Sequence, residues 1–287
     1  MDRALTGLAV VLLVAAAVAL WRYAGPDEGP TPLTIESVQG DVARDRGDLS
    51  AHASIGMAVQ PGDRLVTGPA STATLSRGGR SPITVDSETT VSVARVEDGL
   101  VELNVVRGSV KARVRPDGGA LRLVNEGRAV LATDANLTVA VDAEGGFAVA
   151  AEEGQVAVSG VEGVGELGPH AQAVVLPGGA VRTGPIPNDV LLDVAWPPRG
   201  AVEHVTVEGH TEPGASVRIF AASIAGPVRA DADGHFSLPV TLKEGENEVE
   251  VAVVDAFGRE RRTRTQLIRD TKGPTFKVEI QYERERR

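Results

Sequence analysis

A period of two runs through most of this sequence and limits what the chain can become. In residues 106–115, Val110, Ala112 and Val114 fall on one face, while Lys111, Arg113 and Arg115 fall on the other. Val101, Leu103 and Val105 repeat the pattern, as do Leu137, Val139 and Val141, then Val156 and Val158. Alternation of this kind marks half-buried β-strands. Arg77-Gly78-Gly79, Pro116-Asp117-Gly118-Gly119, Glu144-Gly145-Gly146 and Pro177-Gly178-Gly179 interrupt it at short intervals as turn signals. Gly40-Asp41-Val42, Gly108-Ser109-Val110 and Gly154-Gln155-Val156 each set a glycine before an alternating run, as if the chain turned a corner there. Aromatic residues make up only 3% of the chain against 42% hydrophobic residues, so the cores must be built from Val, Leu, Ile and Ala. The expected fold class is all-β.

The amino-terminal residues depart from this pattern. Arg3 and Arg22 bracket an uncharged run over residues 4–21, which as a helix would be about 27 Å long, close to a bilayer core of about 30 Å. Leu5, Leu8, Val10, Val11, Leu12, Leu13, Val14, Val18 and Leu20 would face lipid, and Trp21 would mark the interface. Residues 1–23 are therefore expected to be a single transmembrane anchor, and residues 24–32 a stiff, solvated linker. Ala17-Val18-Ala19 also fits a signal-peptidase site, which leaves secretion after cleavage as the alternative. Arg3 favours an amino terminus in the cytoplasm, with the bulk of the chain exported.

Residues 33–182 show a family resemblance. The order Val-Gln-Gly-Asp-Val from Val38, then Pro61-Gly62-Asp63-Arg64-Leu65-Val66-Thr67-Gly68, then Ser71, Ala73 and Leu75, then Ile83 and Val85, then Thr89 and Val91 resembles the FecR domain of bacterial envelope regulators. Gly62 and Gly68 would frame a strand with Leu65 inward. The resemblance implies an exported, solenoid-like β domain behind one membrane helix. In the iron-regulator members a cytoplasmic segment contacts a sigma factor. Here only Met1 to Arg3 would lie inside, too little to bury the roughly 800 Å² per side of a specific interface, so transmembrane signalling of that kind is disfavoured.

Residues 183–189, with two prolines and a glycine, read as a second linker. Beyond them Val205 and Val207, Val217 and Ile219, then Phe236, Leu238 and Val240 alternate. Val249, Val251 and Val253 follow, facing in while Glu248 and Glu250 face out. About seven strands over residues 190–274 predict a β-sandwich. Pro213-Gly214-Ala215, Asp233-Gly234-His235-Phe236, Glu244-Gly245-Glu246-Asn247 and Asp255-Ala256-Phe257-Gly258 resemble the immunoglobulin-like modules of bacterial surface proteins. Residues 275–287 are expected to form a last strand, Phe276 to Tyr282, and a charged tail.

The search for chemistry returns little. Gly163-x-Gly165-x-x-Gly168 has the glycine spacing of a dinucleotide site, but Pro169 follows where a helix would be needed. Asp231 and Asp233 resemble the opening of a calcium loop, but position 242 is Leu where the loop needs a carboxylate; a β-turn explains them. His52, His170, His204, His210 and His235 lack the spacing of a helical zinc site, although His204 and His210 could share one sheet. There is no cysteine, which excludes disulfides and thiolate sites. Arg259, Arg261, Arg262 and Arg264 are the one basic cluster. They are read as a solvated face or, alternatively, as a docking patch for an acidic partner or glycan. The net charge of −10 argues against nucleic acid.

No enzyme activity and no cofactor are expected. The expected protein is anchored in the bacterial inner membrane by one pass, lies mostly in the periplasm, and binds or scaffolds an envelope protein partner. A carbohydrate or peptidoglycan module is the alternative, with Trp196, Phe220, Phe257 and Tyr282 as its few candidate sugar platforms.

Overall fold

A computed structural model describes residues 31–271. Pro116–Gly118 is the one helical turn among them, and no helix there is long and apolar enough to cross a membrane. The anchor expected over residues 4–21 and the last strand expected over 276–282 lie outside the described residues.

The alternating runs become strands, with the expected residues inward. Fifteen of the described strands join in one hydrogen-bonded sheet that folds around a single core, from Leu33 to Val175. Leu65 sits fully buried in Asp63–Thr67, and Ala73 and Leu75 in Thr72–Arg77. Phe147 is the aromatic side chain of this core, with the Arg128 guanidinium 5.7 Å from its ring centre.

The three longest strands carry the architecture: Leu100–Val114, Arg128–Val141 and Phe147–Ser159. Leu100–Val114 changes partners midway. Its first half pairs with Thr90–Glu97 and, in parallel, with Ala120–Asn125; its second half pairs with Arg80–Val85 and Arg128–Val141. Gly108 stands at the change, with φ of +95°, and a Cβ there would lie 2.5 Å from the Thr89 Cα. Only glycine permits both the left-handed backbone and that approach. The Thr89 hydroxyl secures the corner by accepting the Ser109 N–H at 2.9 Å.

The solenoid-like arrangement expected for this region is not formed. Solenoid coils stack in parallel, whereas the ladders here are antiparallel apart from the one between Leu100–Val114 and Ala120–Asn125. The physical reason lies in the turns. Gly78-Gly79, Asp98-Gly99 and Glu126-Gly127 are two-residue connections between paired strands, and a connection that short can only reverse the chain.

The expected linker over 183–189 is also partly absorbed. Val181–Pro185 pairs with Ala171–Val175 as the edge strand of the sheet, a place that tolerates Pro185. A second core runs from Val190 to Leu267. Leu192–Ala195, His204–Thr211 and His235–Thr241 form one sheet over it; Ile224–Arg229, Ser216–Phe220, Gly245–Val254 and Glu260–Arg269 form the other. Seven described strands in two facing sheets make a β-sandwich. It is filled by Phe236, Ile219 and valines, and Trp196 packs against its rim.

One buried charge sits at the start of the first module. Asp63 is fully buried and lies opposite Arg46 across two strands. It accepts both Arg46 Nε and Nη2, the latter at 2.7 Å, and the Gln60 N–H at 2.9 Å. These bonds, led by that of Arg46, hold its carboxyl below the usual carboxylate range. A carboxyl whose folded pKa is depressed stabilises fully above its unfolded value, about 3.9, and loses that contribution as pH falls through the folded value. Asp63→Asn should therefore cost about 2 kcal/mol at neutral pH and flatten the acid limb of the stability curve. Denaturant melts across the acid range check this, and an unchanged acid limb contradicts it.

Candidate functional site at the joint of the two modules

Three turns among the described residues share one local sequence, Asp-Ala-x-Gly: the hairpins Asp142-Ala143-Glu144-Gly145 and Asp255-Ala256-Phe257-Gly258, and Asp231-Ala232-Asp233-Gly234, which carries the chain from one sheet of the sandwich to the other. They also share one geometry. In each, Asp Oδ1 accepts two backbone N–H groups: Glu144 and Gly146 at 2.9 and 2.7 Å, Asp233 and His235 at 2.9 and 2.8 Å, and Phe257 and Arg259 at 2.9 and 2.8 Å. The glycine takes φ of +88°, +83° and +81° in turn. The short carboxylate thus closes the turn and the glycine supplies its left-handed residue.

All three turns meet the joint through an arginine. Arg229 of the second module reaches Asp142 at 3.1 Å and Glu144 on the first, and also donates to the Gly214 carbonyl at 3.0 Å. Arg182 of the first module donates to the Ala232 carbonyl at 2.9 Å and to Asp233 at 3.3 Å. Arg259 bonds Asp255 Oδ2 at 2.6 Å and extends to the Pro187 carbonyl at 2.7 Å, on the segment between the modules. Between these contacts Leu176 packs against Gly214, where a Cβ would lie 2.4 Å from the leucine Cδ2.

The joint frames a cleft of 770 Å³. Asp86, Glu88 and Lys111 line it from the first module, and Val254, Ala256 and Phe257 from the second. Lys111 and Asp86 neutralise one another at 3.0 Å, whereas the exposed Glu88 carboxylate has no ion-pair partner among the described residues. Clefts of this size at domain boundaries are common binding sites.

The sequence-based candidates fall in different places. Asp231 and Asp233 belong to the turn between the two sheets of the sandwich. Asp231 is held below the usual carboxylate range, first by the His235 N–H, and Asp233 is engaged by Arg182. Each arginine of the basic cluster has a partner. Arg259 and Arg261 tie down the segment between the modules, the latter through the Val190 carbonyl at 3.0 Å. Arg262 pairs with Glu250 and Glu260, its guanidinium 5.7 Å from the Phe220 ring centre, and Arg264 pairs with Glu248. Residues 163–168 form a turn and enter the short strand Glu166–Leu167, with no helix after them. His52 lies 3.5 Å from Asp41, His170 occupies a turn, and His204 bonds Thr241 at 3.2 Å. His210 and His235 meet edge to face. Among the described residues no group of three or more His, Asp or Glu side chains has metal-binding spacing. Arg182, Arg229 and Asp142 were not singled out by sequence, and Glu144 only as part of a turn signal; the threefold Asp-Ala-x-Gly was the available signal.

No protein-family model matches this sequence, and no curated protein matches it. Two crystal structures of a candidate anti-sigma factor from Parabacteroides distasonis align with the chain. One is 17% identical and the other 16%, each with a TM-score of 0.38 over 42% of this chain. The aligned region spans 59% of the length of those neighbours.

Exposed ion pairs of this kind contribute about 0.2–1 kcal/mol each, so the joint depends on their number. Arg229 holds the Glu144 carboxyl below its usual range, and that pair therefore persists above about pH 4.3 and is lost as pH falls through the folded value. The double variant Arg182→Ala, Arg229→Ala should expose residues 186–189 to limited proteolysis while both modules stay folded. Cleavage no faster than in the parent chain would contradict the clamp.

Proposed function

We propose that this chain is a non-catalytic, membrane-anchored protein of the bacterial envelope, and that its two β modules act as one arm that binds a protein partner in the joint cleft. The observation that carries the reading is the cleft itself: a 770 Å³ recess built from both modules, at a joint that three arginines hold in place. An unpaired carboxylate, Glu88, and a half-exposed ring, Phe257, edge it together, which suits an extended peptide with both cationic and apolar side chains. The FecR-like reading of the first module rests on Pro61-Gly62-Asp63-Arg64-Leu65 and the strands after it. The anchor rests on the uncharged run over residues 4–21, and periplasmic placement follows from that anchor. A cell-wall glycan is the second reading, favoured by an aromatic ring, Phe257, lining the same cleft as the polar residues Ser87 and Glu88.

A photo-crosslinking residue at position 257, introduced in intact cells, should give one discrete protein adduct, and the same residue at exposed position 202 should not. A purified wall preparation that sediments the parent chain but not Phe257→Ala would favour the glycan. Identical adduct patterns from both positions, or none, would contradict a cleft-bound partner.

A further inference from the structure

His210 and His235 lie directly opposite one another on the antiparallel strands His204–Thr211 and His235–Thr241. The ladder around them fixes which kind of pair they are. Thr211 N–H bonds the Gly234 carbonyl at 2.8 Å, while the His235 carbonyl accepts the Asp231 N–H at 2.9 Å instead of a group on His210. The two histidines thus occupy a non-hydrogen-bonded position, where opposed side chains come closest. Their ring centroids are 5.2 Å apart with planes at 69°. Neither ring nitrogen of either residue has a hydrogen-bond partner among the described residues, and His210 is exposed.

That spacing, ordinary for an edge-to-face ring pair, also has room for a shared ion. An ion about 2.0–2.1 Å from one nitrogen of each imidazole sits about 3.2 Å from each ring centroid, and a tetrahedral angle then sets the centroids about 5.2 Å apart. Asp193 lies opposite His210 on the adjacent strand Leu192–Ala195, and Asp231 heads the turn that leads into His235; neither makes a three-ligand group with the two rings, which leaves the histidines as the protein ligands. We propose that His210 and His235 form a two-histidine site for a divalent transition ion of the Zn2+, Ni2+ or Cu2+ type, with water in its remaining positions. Imidazole suits these ions. The Asp231 turn also receives Arg182 from the first module, so the ion would sit beside one of the three clamps of the joint.

Calorimetric titration of the full-length chain with zinc chloride should show one ion per chain. Binding should weaken in acid, because a protonated imidazole cannot coordinate. His210→Ala and His235→Ala should each weaken binding at least tenfold, while His204→Ala and His52→Ala should leave it unchanged. Metal-free melting temperatures of the variants separate lost ligands from lost folding. If either cross-strand variant fails to fold, the electron paramagnetic resonance of Cu2+ on the parent chain decides instead, with coupling to two imidazole nitrogens expected. Absence of zinc binding, full binding by His210→Ala, or a copper spectrum with one nitrogen or none would overturn the site.

Discussion

Arg229 crosses from the second module to the Asp142 hairpin of the first, where Asp142 and Glu144 receive its guanidinium. The orientation of each module against the other depends on that contact and on its two counterparts, Arg182 at the Asp231 turn and Arg259 at the Pro187 carbonyl. Arg229 and Arg182 each meet a turn that is already fixed. Those turns are closed by their own aspartates, so the groups receiving Arg229 and Arg182 lose little freedom when the contact forms. Leu176 against Gly214 adds an apolar contact that water cannot replace.

Beneath the joint, each module follows from one repeated device, a strand with small branched residues on one face. A core of Val, Leu, Ile and Ala with little aromatic content needs close approach of strands, and glycines at corners provide it. Gly108 lets one strand serve two sets of partners, and Gly154, with φ of +75°, sits against the Asp134 carbonyl within another long strand. Both had stood out in the sequence as glycines that precede an alternating run.

Much of the fold was legible from side-chain period alone. Leu65, Val110, Leu137 and Val251 point inward as the alternation requires, because one face of each strand must leave water. The path of the sheet was less legible. The short Gly78-Gly79 and Asp98-Gly99 connections were the local signal for reversal, but alternation alone does not say where the strands beside them end, so their length was not evident in the sequence. The joint was hidden for a different reason: Arg259 and Pro187 are 72 residues apart, and a basic cluster in sequence carries no record of which carbonyl or carboxylate each member meets. Likewise His204 and His210 share a strand by simple alternation, but only the register of His204–Thr211 against His235–Thr241 brings His235 to His210.

A rigid joint is what turns two ordinary β modules into one surface, because the cleft takes walls from both and keeps its shape only while they stay fixed. The most direct test is a double electron–electron resonance measurement on the parent chain, with spin labels at the exposed positions Leu131 in the first module and Ile224 in the second. The account predicts a single narrow distance distribution that broadens when Arg182 and Arg229 are replaced by alanine. A broad distribution in the parent chain, unchanged by those substitutions, would show two modules moving independently and would contradict it.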